Sequence, residues 1–171
     1  MTTQKIAALL RLKAIEMSLN AKASHLASSL SCIDILTVLY EKILKINPKK
    51  PQDRNRDRFI LSKGHAATSL YAILSHKGFF KKSYLKTYGK KGSLLEEHPT
   101  PKLPGVEAAT GSLGHGLPIG CGLALSAKIS SKNFKTVVLM GDGECNEGTV
   151  WESALFASSK NLNNLLAIVD F

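Results

Sequence analysis

The chain has 171 residues, and its 23 Lys and Arg against 13 Asp and Glu give a formal net charge of +10 at pH 7. Its 44% hydrophobic and 21% charged residues are typical of a folded globular domain and argue against a disordered chain. No apolar run reaches the roughly 20 residues that a membrane helix needs, so no membrane association is predicted.

The predicted elements alternate between helices and short apolar strands. Helical spacing predicts helices over 5–22 and 33–44, and Ser31 with Asp34 resembles a capping box at the start of the second. The chain then continues as a strand over 59–61, a helix over 66–75, one short helix within long loops over 79–115, a helix over 116–130, a strand over 136–140, a helix over 149–160 and a strand over 165–169. Continuous apolar strands separated by helices predict an α/β fold with a mostly parallel sheet flanked by helices.

The three cysteines and the excess of positive charge restrict the function classes. Cys32, Cys121 and Cys145 are far apart and form no Cys-x-x-Cys pair, so we expect small buried residues in a reducing, cytoplasmic environment. Much of the positive charge lies in 49–58 and 77–91. Because no nucleic-acid-binding motif accompanies it, we do not expect nucleic acid as a partner.

The strand over 136–140 ends in Gly141-Asp142-Gly143-Glu144. Open parallel sheets bind ligands beyond the carboxyl ends of their strands, and flanking glycines let a ligand approach the backbone. Mg²⁺ prefers one or two protein carboxylates and completes its shell with phosphate oxygens and water. Asp142 is therefore a candidate ligand for a metal-bridged diphosphate, and a tight turn with a solvated Asp is the alternative.

Two further patterns point to the same kind of ligand. The Gly-rich segment 110–116 precedes a helix, whose free N–H groups favour anions, although its spacing matches no common nucleotide-binding motif. Histidines in turn-like contexts can transfer protons near neutral pH, whereas His76 at a helix end fits a structural role. No spacing among the five histidines suggests zinc.

Four blocks in this order resemble the N-terminal, diphosphate-binding part of transketolase, a thiamine diphosphate enzyme. The likeness is closest to split transketolases, whose two halves are separate chains, and it covers about residues 5–171. The blocks are Ser24-His25 with Ser28–Ser31, residues 57–65 ending in Lys63-Gly64-His65, residues 103–116, and Gly141–Glu144 with Glu147-Gly148 and Trp151-Glu152.

The resemblance implies a thiamine-diphosphate-binding α/β fold and a role for each matching residue. It implies Asp142 as the Mg²⁺ ligand and Gly143 against the diphosphate. It implies His65 beside the diphosphate and the reacting centre, and His25 and His98 as histidines that handle substrate hydroxyl protons. The remaining implied positions are the backbone of Gly111, Ser112 and Leu113 against the cofactor, and Glu147 as a buried glutamate that links cofactor sites across a dimer interface.

Two departures from the family pattern affect these expectations. Ser24-His25-Leu26-Ala27 stands where the family often has Gly-His-Pro-Gly, which makes the backbone around His25 less free. The family's second metal ligand is an Asn, and Asn163-Asn164 precedes the last strand, at the wrong end of the sheet. We expect that Asn at position 172, so residues 1–171 would be an N-terminal domain that is incomplete at its C-terminal end.

The implied activity is transfer of a two-carbon ketol unit between sugar phosphates, as in the pentose phosphate pathway. The resemblance further implies a C-terminal transketolase domain or subunit, and a homodimer or an assembly of two copies of each subunit (α2β2). Three alternatives stay open: another thiamine diphosphate enzyme such as 1-deoxyxylulose-phosphate synthase or a 2-oxo-acid dehydrogenase E1 chain, a basic binding module, and a non-catalytic remnant that only dimerises.

Overall fold

The computed structural model describes residues 1–171 as three parallel strands flanked by helices. The strands β1 (Arg58–Leu61), β2 (Thr136–Gly141) and β3 (Leu165–Asp170) lie side by side in the order β1-β2-β3. This confirms the predicted α/β class with a parallel sheet. The helices are α1 (Thr3–Ala21), α2 (Leu26–Ser31), α3 (Ile33–Val38), α4 (Ala67–Lys77), α5 (Gly116–Ile129) and α6 (Gly148–Ser159), with a π turn over Leu39–Ile43 and 3₁₀ turns over Gly64–Ala66, Lys82–Thr87 and Gly143–Asn146.

The central strand β2 is buried on both faces. Val137 and Leu139 belong to the larger core, which packs α1, α3 and α4 against one side of the sheet. Val138 and Met140 point to the other side, where α5 covers them. A Cβ on Gly120 of α5 would lie 2.4 Å from Val138 Cγ2, so this helix packs closely because the residue is glycine. This packing holds α5 tightly against the middle of β2.

The predicted helix over 33–44 is confirmed as one uninterrupted helical segment over 33–43, but its last part is not α-helical. The structure places α2 before it, ends α3 at Val38 and continues in a π turn, in which the Leu44 amide donates to the Leu39 carbonyl at 2.8 Å. Ser31 is not the cap of the following helix. Its hydroxyl instead donates to a carboxylate oxygen of Asp170 at 2.6 Å, so a tertiary partner replaces the local capping contact.

Part of the apolar surface remains exposed in the single chain. On α6, the exposed fraction is 62% for Trp151 and 73% for Leu155, and edge strand β3 exposes Leu166. Exposed apolar groups that gather on one face are typical of interaction surfaces. None of the helices has both the length and the apolarity needed to cross a membrane. Cys32 and Cys121 are buried as expected, whereas Cys145 is partly exposed.

Candidate active site

The carboxyl ends of the three strands meet at one edge of the sheet. His65 follows β1, Asp142 follows β2, and Asp170 ends β3. The Asp142 amide donates to the Asp170 carbonyl at 3.1 Å, so the turn after β2 lies directly beside the end of β3. The Asp142 side chain is exposed and belongs to none of the ion pairs of the chain. Its carboxylate is free to bind a cation.

The opposite end of the sheet holds the asparagines that precede β3. The Asn164 carbonyl accepts from the Thr136 amide at 2.8 Å, at the point where β2 and β3 begin. This confirms that Asn163 and Asn164 lie away from Asp142 and cannot share a cation with it.

Two histidines from separate blocks face each other at the strand ends. The ring centroids of His25 and His65 are 5.3 Å apart. Burial is the largest cause that lowers the pKa of the His65 imidazole, and the positive charge of Lys63 adds to it. Glu144 acts in the opposite direction and only partly offsets the others. The lowered pKa favours the neutral imidazole, in which one ring nitrogen can accept a proton.

His25 directly precedes α2 and has a positive φ of 66°, a backbone conformation that residues other than glycine seldom adopt. The chain thus makes this turn without the glycine that the family often has. His76 lies at the end of α4, with its Nε2 3.5 Å from an oxygen of Glu41. That position agrees with the structural role expected for it.

The Gly-rich segment lies against both neighbouring blocks. A Cβ on Gly111 would lie 2.6 Å from His98 Cδ2, which places the exposed His98 beside this loop. A Cβ on Gly64 would lie 2.6 Å from the carbonyl carbon of Thr110, so the turn before His65 touches the loop backbone. Ser112 is exposed and Leu113 is partly buried. The structure therefore brings His25, His65, His98 and 111–113 to one crevice.

Sequence reasoning missed a buried ion pair beneath this crevice. Lys63 Nζ lies 2.5 Å from Asp170 Oδ2, and both side chains are almost inaccessible to solvent. Ser31 donates to the same carboxylate oxygen and lies 3.3 Å from Lys63 Nζ. The sequence signal was a lysine next to the Gly64-His65 turn, but its partner is 107 residues away.

The buried glutamate of this region is Glu144. It is 1% exposed, and its carboxylate accepts hydrogen bonds from the amides of Gly114 and Gly141 at 2.8 and 3.3 Å and from the Ser62 hydroxyl. Glu147, for which a buried position was expected, is exposed at the start of α6. Because Glu147 was expected to be buried between two protomers, its exposure in the single chain leaves that role a prediction, whereas Glu144 is buried under the loop within the chain itself.

The exposed residues of the crevice fit a metal-bridged diphosphate. An ideal Cβ on Gly143 has no neighbour within 4 Å, so there is open space beside the Asp142 turn. No cluster of three or more His, Cys, Asp or Glu side chains could hold a metal ion unaided. A cation at Asp142 would need further oxygen ligands, and phosphate oxygens and water commonly supply several of those of Mg²⁺.

Comparison with known proteins identifies the family. The family described as "Transketolase, thiamine diphosphate binding domain" matches residues 2–171. A subunit of the apulose-4-phosphate transketolase of Phocaeicola vulgatus is 46% identical over 160 residues, which cover 94% of this chain and 57% of that protein. Human transketolase is 41% identical over 162 residues, which cover 94% of this chain and 26% of that protein.

Solved structures agree with these relatives. The crystal structure of transketolase from Campylobacter jejuni superposes with a TM-score of 0.93 at 34% identity, covering 99% of this chain and 28% of that one. Transketolase from Leishmania mexicana gives a TM-score of 0.92 at 30% identity, covering 99% and 27%. The chain thus spans little more than half of the Phocaeicola protein and about a quarter of the longer transketolases. The resemblance carried by the four sequence blocks is confirmed, and the chain belongs to the transketolase family through its thiamine diphosphate binding domain.

Proposed function

We propose that this chain forms the diphosphate-binding part of a transketolase that moves a two-carbon ketol unit from a ketose phosphate to an aldose phosphate. The observation that carries the proposal is the meeting of Asp142, His65 and the loop 111–113 at one end of a parallel sheet, in a chain of this family. Similarity to a protein named as part of an apulose-4-phosphate transketolase supports a sugar phosphate as substrate.

Asp142 would hold Mg²⁺, with the diphosphate of thiamine diphosphate as the bridging ligand and Gly143 against it. Its exposed carboxylate and the open space at Gly143 support this assignment. The backbone of Gly111, Ser112 and Leu113 would contact the cofactor from the opposite loop. When bound, thiamine diphosphate supplies the nucleophilic carbon and the electron sink for ketol transfer.

The histidines would handle protons. His65, whose pKa is lowered by burial and by Lys63, would accept a proton at a ring nitrogen near the reacting centre. His25 and His98 are exposed in the same crevice and would bind and deprotonate substrate hydroxyls. A positioned general base of this kind contributes about 10²–10⁴-fold to a rate.

A partner subunit or domain would complete the site. Glu147 lies in the same exposed segment of the chain as Trp151 and Leu155. Burial of this face in a homodimer, or in an assembly with a second kind of subunit, would bury Glu147 between two cofactor sites. The similarity to a protein named as one subunit of its enzyme supports the need for such a partner. The three free cysteines support a reducing, cytoplasmic location.

The test uses the complete protein together with its partner subunit or domain. Thiamine diphosphate binding is measured by calorimetry with and without Mg²⁺, and turnover is compared on xylulose 5-phosphate plus ribose 5-phosphate and on pyruvate plus glyceraldehyde 3-phosphate as the acceptor. We expect Mg²⁺-dependent binding and turnover of the sugar phosphates. Turnover of pyruvate without turnover of xylulose 5-phosphate would refute ketol transfer and indicate a deoxyxylulose-phosphate synthase. Absence of any cofactor binding would refute the proposal as a whole.

Two substitutions assign the roles. Asp142→Asn should remove the Mg²⁺ dependence of cofactor binding, whereas Asp34→Asn, in an exposed pair with Arg11, should leave it unchanged. His65→Ala should lower the turnover rate by about 10²–10⁴-fold. A rate within about twofold of the wild type would remove His65 from the chemistry.

A further inference from the structure

We propose that Glu144 is a positioning residue, which holds the Gly-rich loop 111–114 against the turn 141–143 so that the two backbones form one cradle for the diphosphate. The inference rests on the proposed function, because the cradle matters only if a diphosphate binds there. It adds a residue that touches neither cofactor nor substrate to those already assigned to the site.

Glu144 connects three segments that are distant in sequence. Its carboxylate accepts from the Gly114 amide at 2.8 Å, from the Ser62 hydroxyl at the end of β1, and from the Gly141 amide at 3.3 Å. The Ser62 oxygen also accepts from the Gly116 amide at 3.1 Å. One carboxylate thus organises both ends of the crevice and the start of α5.

The geometry leaves Gly114 little freedom to move away. The Thr149 hydroxyl donates to the Gly114 carbonyl at 2.9 Å, while Glu144 accepts from the amide of the same residue. Gly114 has a positive φ of 82°, and a Cβ there would lie 2.4 Å from Thr149 Oγ1 and 2.7 Å from Glu147 Cβ. The segment 144–149 therefore binds both the carbonyl and the amide of Gly114, and the buried Glu144 carboxylate is the acceptor for the amide.

The carboxylate is buried without a cation. Glu144 takes part in no ion pair, and its hydrogen-bond donors are two backbone amides and one hydroxyl. Buried carboxylates of this kind are costly unless their hydrogen bonds are complete. The full set of donors exists only when the loop and the turn are in contact, so the hydrogen bonds of Glu144 favour that contact.

Asp57 offers a matched control at the other end of the sheet. It is 4% exposed, and its two carboxylate oxygens accept from the amides of Lys45 and Lys135, both at 2.8 Å. Glu144→Gln and Asp57→Asn each replace one buried carboxylate oxygen with an NH₂ group that faces a donor. Both should lower the thermal unfolding temperature, but only one of them lies at the proposed cradle.

The experiment compares both variants in the complete protein with its partner. Glu144→Gln should raise the dissociation constant of thiamine diphosphate, measured by calorimetry with Mg²⁺, by about 10–100-fold, as losses of outer-shell partners do in metal sites. In the cofactor-free protein it should also speed amide hydrogen exchange within 111–116. Asp57→Asn should leave both quantities within about twofold of the wild type.

Two results would overturn the inference: unchanged affinity and exchange in Glu144→Gln, or equal changes in both variants, which would indicate general loosening. If Glu144→Gln does not fold, Ser62→Ala tests the proposal instead, because it removes one donor to Glu144 and leaves the carboxylate in place. It should speed exchange in the same loop by a smaller factor, and no change there would count against the proposal. If the wild type binds no thiamine diphosphate, the proposed function fails, while loop exchange still tests the role of Glu144.

Discussion

Lys63→Met tests whether a buried ion pair holds the strand ends together. Methionine keeps an unbranched apolar stem but removes the ammonium group, so the Asp170 carboxylate loses its cation. Both side chains are nearly inaccessible to solvent, and Ser31 would remain as the side-chain donor to this carboxylate, at 2.6 Å. The change therefore leaves one buried, incompletely compensated charge.

The expected magnitude follows from that burial. Removing one partner of a buried ion pair typically costs about 3–5 kcal/mol of unfolding free energy. Because the Ser31 hydroxyl still donates to Asp170, we expect the lower end of this range, about 3 kcal/mol. The double variant Lys63→Met with Asp170→Asn removes both charges, and it should recover most of the loss, since a neutral pair is often as stable as the ionic one.

Urea denaturation of the complete protein measures these free energies, with the exposed Lys102→Met as a control that should change stability by less than about 0.5 kcal/mol. The titration of His65, followed by NMR, gives an independent result. Lys63 lowers the pKa of His65, so its removal should shift that pKa upward. A loss below about 1 kcal/mol in Lys63→Met, or a double variant no more stable than the single one, would refute the reasoning.

Three further predictions concern other parts of the chain. Gly64→Ala should lower the unfolding free energy by about 1–3 kcal/mol in a denaturant titration, because its Cβ would clash with the Thr110 backbone. Burial lowers the pKa of both His65 and His76, so the folded state binds fewer protons than the unfolded state. Unfolding free energy should therefore fall as pH drops below about 6.5, and replacing both histidines should flatten this dependence. Leu155→Ser, at an exposed position, should change the stability of the isolated protein by less than about 0.5 kcal/mol yet weaken association with the partner in analytical ultracentrifugation.

Periodicity predicted the parts of the fold that a single segment determines. The apolar run in β2 and the burial of Val137 and Val138 on opposite faces of the sheet follow from a strand covered on both faces. The small residues of α5 indicated close packing, which Gly120 makes against Val138. The position of Asp142 followed from the rule that ligands bind beyond the carboxyl ends of parallel strands.

Contacts between distant segments could not be predicted in this way. Ser31 has the residue type and the position of a helix cap, yet Asp170, 139 residues away, takes its hydroxyl. The same carboxylate neutralises Lys63, whose burial no local pattern indicates. In each case a tertiary partner competes with the local contact, and the sequence alone does not specify that partner.

The two glutamates of the turn after β2 show why the burial of a site residue depends on tertiary contacts. Glu144 and Glu147 are three residues apart, and both are acidic residues beside glycines. Buried backbone amides need acceptors, and the amides of Gly114 and Gly141 find theirs in Glu144. These two amides need a side-chain acceptor only once the loop packs on the turn, and no local sequence pattern shows that packing. The family pattern therefore identified Glu147, whereas the single chain buries Glu144. A partner that covers α6 would bury Glu147 as well, which would give the two residues separate roles, one inside each protomer and the other between protomers.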